Sequence, residues 1–447
     1  MGATESIPSS PPAPIRNDPR GGPDRDPTRV RIASDPSPAR ADQAAVPQRT
    51  ITGQNIVCFG KEWSSAPTSN NHVMNELARH NKVLWINSVA TRTPSVASAR
   101  DVKRIFRKLA SFFRGTQQVG PSMWVYTPAV LPFPHSPIAQ RLNRWIIRRA
   151  IGRLRRRLGM NSFQLWSFLP NVAPYVGGSG ESISIYYCVD EWSKFSYLDG
   201  PRTAAAERDL CEKVDLVFAT SQKLVEARST INPRTYLARH GVDHPLFSAA
   251  LDPATPVPED LAAIRGPVVG FYGTIQDWVD LGLIERLARR RPDWSFVLIG
   301  PILVDIAHLA GLANIHFLGR KPHSELPKYC KGMAVALIPQ KINELTLNMN
   351  PLKLREYLSA GLPVVATPLP EAAECAEFCR IGRDDAEFEA AIADAIAADT
   401  PDLRRRRSDS MKDQTWQQRV ERIGAVVMEQ IDSRRIGGAE NFQKSGH

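Results

Sequence analysis

The sequence predicts an α/β protein made of two doubly wound parallel sheets that follow one another and face a cleft. Three observations predict it. Short apolar strands alternate with helix-like stretches from about residue 51 to 245. A Pro-rich stretch, Asp252–Pro267, interrupts that rhythm, which then restarts. A chain of 447 residues also exceeds what one ordinary core can fill. Strand, helix and strand at this spacing make βαβ units, and therefore parallel pairing.

Taken in order, NIVCFG (Asn55–Gly60) is a strand ending in Gly. The helical NHVMNELARH and the strand KVLWIN (Lys82–Asn87) follow. The pattern continues through FQLWSFLP, SISIYYCVD, TAAAERDLCEKV, DLVFATS and RTYLARHGVD. Beyond the linker it resumes with PVVGFYG, LGLIERLARRR, SFVLIG, IHFLG, SELPKYCKG and MAVALIPQ. NPLKLREYLSAGLPVVATP, from Asn350, then reads as loop, helix and strand. Pro351 suits the first helical turn, Gly361 the position after the last, and Pro363 forbids continuation. Ser410–Ile431 is amphipathic and reads as one closing helix. Residues 1–48 are rich in Pro, Ser, Asp and Arg and cannot bury enough apolar surface to offset their ordering entropy. The expected organisation is a disordered tail at 1–48, an N-terminal domain at 49–248 and a C-terminal domain at 249–409. A closing helix at 410–432 and a second disordered tail at 433–447 complete it.

Hydrophobic content of 43% is ordinary for a globular protein, and no apolar run approaches the roughly 20 residues that span a bilayer. The N-terminus has no apolar core of a secretory signal. It begins Met-Gly with Ser6 where a myristoylation signal would want it, a weak pattern beside the simpler reading of an ordinary tail. Six Cys stand at 58, 188, 211, 330, 375 and 379 with no C-x-x-C pair. Reduced thiols in a cytosol fit this, and neither a metal site nor a disulfide framework is indicated. The net charge of +11 calls for an anionic partner.

Ligands of such sheets bind beyond the carboxyl ends of the strands, so candidates are sought there. A loop feeding the helix at Asn350 exposes N–H groups that suit an anion. Lys353 lies in that first turn, where the helix dipole disfavours a cation and an anionic ligand would explain it. The alternative is a surface Lys on an ordinary helix. Gly273 ends a strand and Thr274 begins the turn into the next helix, which allows close backbone approach to a phosphate or is only a tight turn. No full G-x-G-x-x-G and no Walker loop is present. Gly319 ends another strand, and Arg320, Lys321 and Pro322 form its exit, against which a nucleobase could lie. Asp190 and Glu191 end an apolar strand beside Trp192 and Phe195. A carboxylate against aromatic walls can have a raised pKa and act as a general base, and rings stack on sugar faces. The competing role is a helix N-cap by Asp190 or Ser193. The polar loop Gly60–His72 is long enough to be functional, with His72 opening the next helix.

Two basic stretches remain, near residues 100–114 and 141–159. The second carries eight Arg and no acid among Leu142, Trp145, Ile146, Leu154 and Leu158. Basic amphipathic helices with aromatics suit an anionic membrane surface, at about 1 kcal/mol per basic residue. The alternative is an apolar face in the core with solvated Arg. No nucleic-acid motif accompanies the charge, so no nucleic-acid partner is expected.

GFYGTIQDW, DWSFVLIGP, IHFLGRKPHSELPKY and NPLKLREYLSAGLPVVATPLPE together resemble the C-terminal lobe of bacterial GT-B glycosyltransferases of the family-4, or group 1, type. DLVFATS followed by HGVDHPLF is similar to that family's passage between lobes. YYCVDEWSKF resembles a motif of the branch that includes teichuronic-acid-type glucuronosyltransferases and exopolysaccharide enzymes. The resemblance implies GT-B architecture, with two Rossmann-like domains across a cleft. It implies a UDP- or GDP-linked sugar donor held mainly by the C-terminal lobe and a glycan or lipid-linked acceptor against the N-terminal lobe. No cofactor and no metal are implied. Gly273, Thr274, Arg320, Asn350, Lys353 and Glu356 would bind the donor, with Glu356 on the ribose as the second Glu of the family's E-x7-E motif. The first falls at Asn348, a departure from that pattern. The resemblance leans towards retention, where the donor phosphate helps deprotonate the acceptor. In inverting relatives an N-lobe carboxylate is the base, and Asp190 is the candidate. Asp190 and Lys353 are thus the catalytic candidates, and His72, Glu191 and Trp192 the acceptor-side ones. The expected protein is a hexosyltransferase of surface polysaccharide synthesis, peripheral on the cytoplasmic face of the membrane. A nucleotide-sugar 2-epimerase of the same fold and a non-catalytic nucleotide-sugar or nucleic-acid binder are the alternatives.

Overall fold

Apolar runs of four to six residues can be buried on both faces only inside a covered parallel sheet, and the chain builds two. A computed structural model describes residues 50–65, 67–87, 115–131 and 136–444, with side chains to 434. All of these belong to one compact unit. The expected tail at 1–48 and the basic stretch at 100–114 lie outside the described residues. In the N-terminal lobe the strands are β1 (Asn55–Gly60), β2 (Lys82–Asn87), β3 (Thr116–Gly120), β4 (Met123–Tyr126), β5 (Gln164–Ser167), β6 (Ile183–Cys188), β7 (Leu216–Ala219) and β8 (Thr235–Leu237). Their order is β3-β4-β2-β1-β5-β6-β7-β8, parallel except for the β3–β4 pair. The polar, exposed β3 blunts that edge against further pairing.

The C-terminal lobe holds β9 (Val268–Tyr272), β10 (Ser295–Ile299), β11 (Ile315–Gly319), β12 (Val335–Ile338), β13 (Val364–Ala366) and β14 (Cys379–Ile381). Their order is β11-β10-β9-β12-β13-β14, all parallel. Strand order reverses at β1/β5 and at β9/β12. Those two switch points open crevices at the carboxyl ends, where ligands of such sheets bind.

The helix Leu352–Ser359 ends as its sequence requires. Gly361 takes φ +78°, its N–H bonds Leu358 O at 2.9 Å, and Leu362 N bonds Tyr357 O at 3.0 Å. This is the Schellman pattern, in which a left-handed residue lets two orphan carbonyls be satisfied. Arg407 Nη1 donates to Gly361 O at 3.1 Å and fastens the turn to the helix Pro401–Asp409. At the other end Pro351 is the N-cap, one residue outside the expected first turn, because its ψ of 103° is extended.

Three expectations need correction. Residues 433–444 are not a tail: one helix runs from Trp416 to Lys444, each added residue gaining a backbone hydrogen bond once the helix has formed. The turn after Gly273 does not lead straight into a helix. Residues 274–280 make an excursion tied by a bridge of Ile275 to Ile302, and Asp280 caps the helix that starts at Leu281. Neither Asp190 nor Ser193 caps the helix after β6. Trp192–Lys194 form a 3-10 turn, and Asp199 caps Gly200–Lys213.

The last helix crosses back to the first lobe. Trp416, Val420, Ile423, Val427 and Ile431 pack into the N-terminal core. The crossing needs Gly241, where a Cβ would stand 2.6 Å from Trp416 Cα. Replacing Gly361 by Ala should lower stability by about 1–3 kcal/mol, since Ala resists that φ and would meet Leu251 Cδ2 at 2.7 Å and Arg404 O at 2.8 Å. A drop in the urea midpoint checks it.

Candidate active site

The β9/β12 switch point is shaped by two glycines. Gly273 leaves β9 at φ +142° and donates to Ile299 O at 2.8 Å, and Gly300 leaves β10 at φ +146°. A Cβ on Gly273 would overlap Lys353 Cε and stand 2.9 Å from Nζ, and one on Gly300 would overlap Gly273 O. The side chain of Lys353 therefore lies directly against the Gly273 backbone. Burial pushes the Lys353 ammonium down from its ordinary pKa, while the charges of Glu356 and Asp190 favour its protonated form. Among the described residues Lys353 makes no hydrogen bond or ion pair.

Asp190 leaves β6 of the opposite lobe. Burial raises its carboxyl to about 6, against the opposing pull of Lys61 and Lys353, with Glu191 adding to the rise. The structure thus brings Asp190, Lys353 and Gly273 together across the two lobes. Thr274 follows Gly273, half-buried.

Glu356 is buried, and both of its oxygens are engaged. Oε2 accepts from Tyr272 Oη at 2.8 Å, and Oε1 lies 3.1 Å from His323 Nε2. Burial opposes charge on His323, but the hydrogen bond and charge of Glu356 outweigh it and raise its pKa. His72 stacks flat on Trp416, with centroids 5.0 Å apart, and faces His323 at 5.7 Å. Burial and His323 lower His72 to about 4. Burial, Arg355 and His72 hold His240, beside the same Trp416, at about 3. Both are therefore neutral at pH 7.

Other sequence candidates stand elsewhere. Asn350 is buried: its Nδ2 donates to Glu371 Oε2 at 2.6 Å and its Oδ1 accepts from Arg355 at 2.6 Å, so it braces the loop before the helix. Glu191 accepts from Arg228 at 2.8 Å and Ser193 at 2.6 Å, within a buried group that includes Glu207. Trp192 is buried against Phe195, and Lys61 Nζ lies 5.2 Å above its ring. Glu191 and Trp192 are not on an open acceptor face, because pairing of the acid and burial of the ring won. Arg320 is exposed at the exit of β11. Asn348 donates to Glu344 O at 2.6 Å. Sequence reasoning missed Tyr272, His323, His240, Trp416 and Glu371. Tyr272, His240, His323 and Glu371 fall within stretches that carry the family resemblance, but no local spacing singles them out.

Residues 266–399 match the family described as Glycosyl transferases group 1. That stretch is similar to a group 1 glycosyltransferase domain. The domain covers β9 to β14 and holds Gly273, His323, Lys353 and Glu356. The chain is 29% identical over 206 residues to TuaH of Bacillus subtilis (strain 168), named as a glycosyltransferase of teichuronic acid biosynthesis; the match covers 42% of this chain and about half, 51%, of TuaH. A sucrose-phosphate synthase from Thermosynechococcus elongatus superposes with a TM-score of 0.60 at 14% identity, over 86% of this chain and all of that one. A UDP-forming α,α-trehalose-phosphate synthase from Burkholderia xenovorans, in complex with glucose-6-phosphate, gives 0.60 at 14%, over 85% and 100%. HepE of Anabaena, in complex with UDP and glucose, gives 0.53 at 15%, over 86% and 99%. The matched domain and its partner lobe make the GT-B fold. Among the described residues no helix is long and apolar enough to cross a membrane.

The raised pKa of Asp190 has a sign in stability. A carboxyl whose folded pKa lies above its unfolded value contributes stability that is full below about 3.8 and lost as pH rises through about 6. Asp190→Asn should therefore raise the melting temperature at pH 7.5 and lose that gain near pH 4. Melting curves at the two pH values check it.

Proposed function

We propose that the protein transfers a hexosyl group from a nucleotide-sugar donor to a glycan or lipid-linked acceptor in surface polysaccharide synthesis. The observation that carries this reading is Lys353, a cation laid against the Gly273 backbone and opposed across the lobes by Asp190. In this reading the bond from the sugar anomeric carbon to the nucleoside diphosphate breaks, and a bond from the acceptor oxygen forms. Lys353 and the backbone around Gly273 and Thr274 take the charge that develops on the leaving diphosphate. Such preorganised charge is worth most where water is excluded. Asp190, with its pKa of about 6, is ionised at neutral pH and accepts the acceptor proton. Glu356 holds the ribose and Arg320 borders the base.

The complexes with UDP and with glucose in similar folds support a UDP-linked donor. TuaH's name supports a surface-polymer acceptor. The protein acts on the cytoplasmic face of the membrane, held there by the helix Pro137–Leu158. That helix buries Ala139, Ile147, Ile151 and Leu154 and turns Ile138, Leu142 and Trp145 outward among its arginines. Of the two readings of its sequence, a wholly core-facing apolar set does not fit these exposures.

Lys353→Ala should lower kcat for donor turnover by about 10²–10³-fold, the usual cost of losing one charge-stabilising group. Turnover within a few-fold of wild type would remove Lys353 from the reaction. Asp190→Asn should abolish transfer yet leave donor binding intact, and calorimetry with UDP separates the two.

A further inference from the structure

The outward face of Pro137–Leu158 is not evenly basic. Arg141, Arg144, Arg148, Arg149 and Arg156 line one open pocket of about 380 Å³, together with Trp145 and Gly152. The helix contains no acid to balance them. Five guanidinium groups facing one space repel each other, and a scattered basic surface would avoid that arrangement.

One glycine lines the pocket, and a second lies behind Arg148. Gly152 sits inside a helix, where Gly is unfavourable. A Cβ there would meet nothing closer than Arg156 Nη1 at 3.7 Å, so packing does not demand Gly; its missing side chain leaves the floor open. At Gly178 a Cβ would overlap the guanidinium of Arg148, so that side chain lies against this turn. The turn is pinned by Glu181, which accepts from Gly177 N at 2.5 Å and Ser179 N at 3.0 Å. Among the described residues the Nε of Arg148 is buried without a hydrogen-bond partner. A buried donor left unmatched in this way is open to a water or to a ligand oxygen.

Ile138, Leu142 and Trp145 are 77%, 42% and 60% exposed. At 3.6 residues per turn they share this face, opposite the buried stripe. Apolar side chains for the acyl boundary beside an arginine pocket match a lipid and its headgroup together.

Resting on the membrane reading above, we propose that this pocket binds the multiply charged phosphate of a lipid headgroup, a phosphomonoester or diphosphate. Guanidinium forks grip phosphate oxygens in pairs, and several forks can be satisfied only by a group with more than one free oxygen pair. A phosphodiester lipid offers one such pair and satisfies one fork, leaving the others held by charge.

The test is binding of the full chain to phosphatidylcholine vesicles carrying phosphatidic acid or phosphatidylserine, matched for total negative charge, at moderate salt. Binding should be at least about fivefold tighter to phosphatidic acid. Gly152→Leu fills the pocket but keeps every arginine; it should erase the preference and leave phosphatidylserine binding unchanged. Arg148→Gln with Arg156→Gln should erase it too, and Arg153→Gln with Arg157→Gln, equal in charge but outside the pocket, should not. Equal wild-type binding to both vesicles overturns the pocket and spares the membrane reading. No binding to either overturns both, and a preference that survives Gly152→Leu overturns the location. The transfer reaction stands or falls separately, on Lys353→Ala.

Discussion

The cleft depends on one buried carboxylate, that of Glu371. It belongs to the C-terminal lobe, yet Oε1 accepts from Gln222 N at 3.1 Å, at the start of an N-lobe helix. Oε2 accepts from Arg239 at 3.1 Å and from Asn350 at 2.6 Å. A buried charge is tolerated only when its oxygens are satisfied and its sign is matched. The helix N-terminus and Arg239 supply that match from the other lobe. Beside it, Ser221 donates to Asn348 O at 2.7 Å. This joint sets the loop before Lys353 against the first lobe, so the distance between Asp190 and Lys353 follows from how one acid is satisfied.

Around that joint the charges are arranged by burial. Lys353 feels two carboxylates and bonds to neither, so its ammonium remains available to a third anion. Asp190 is held near its protonation point by desolvation, against the pull of two lysines. Glu356 differs from both, since Tyr272 and His323 occupy its oxygens. Tyr272 is itself fixed, its ring edge-on to Tyr357 and its N–H bonded to Tyr357 Oη at 2.8 Å. His323 is the partner that lies nearer the surface, so a ribose reaching Glu356 would compete with the imidazole rather than with the tyrosine.

The closing helix does more than cover the core. Trp416, its first residue, stacks on His72 of the N-terminal lobe and lies beside His240. It thus ties the chain crossing at Gly241 to the rim of the cleft. Both histidines are kept neutral, which suits a wall next to cationic Lys353 and Arg355.

Local pattern determined most of the architecture. Continuous apolar runs flanked by Gly and Pro specify buried parallel strands, and the Leu352–Gly361 helix carries its own stop signal. Lys353 stood out as a cation at a helix start, Gly273 as a glycine at a strand exit and Asp190 as an acid at an apolar strand end, and the structure places the three near one another. Asn350, Glu191 and Trp192 looked equally plausible and were taken up by bracing, ion pairing and packing, which depend on partners 21, 37 and 3 residues away. The imidazole group and Glu371 carried no usable spacing, because their partners come from the two lobes and meet only when both sheets are folded. Sequence alone determined the two sheets, the glycine-ended turn beside Lys353 and the basic helix. Tertiary structure decided which polar side chains satisfy one another, and so which remain for a ligand, because hydrogen bonding and desolvation depend on neighbours in space rather than along the chain.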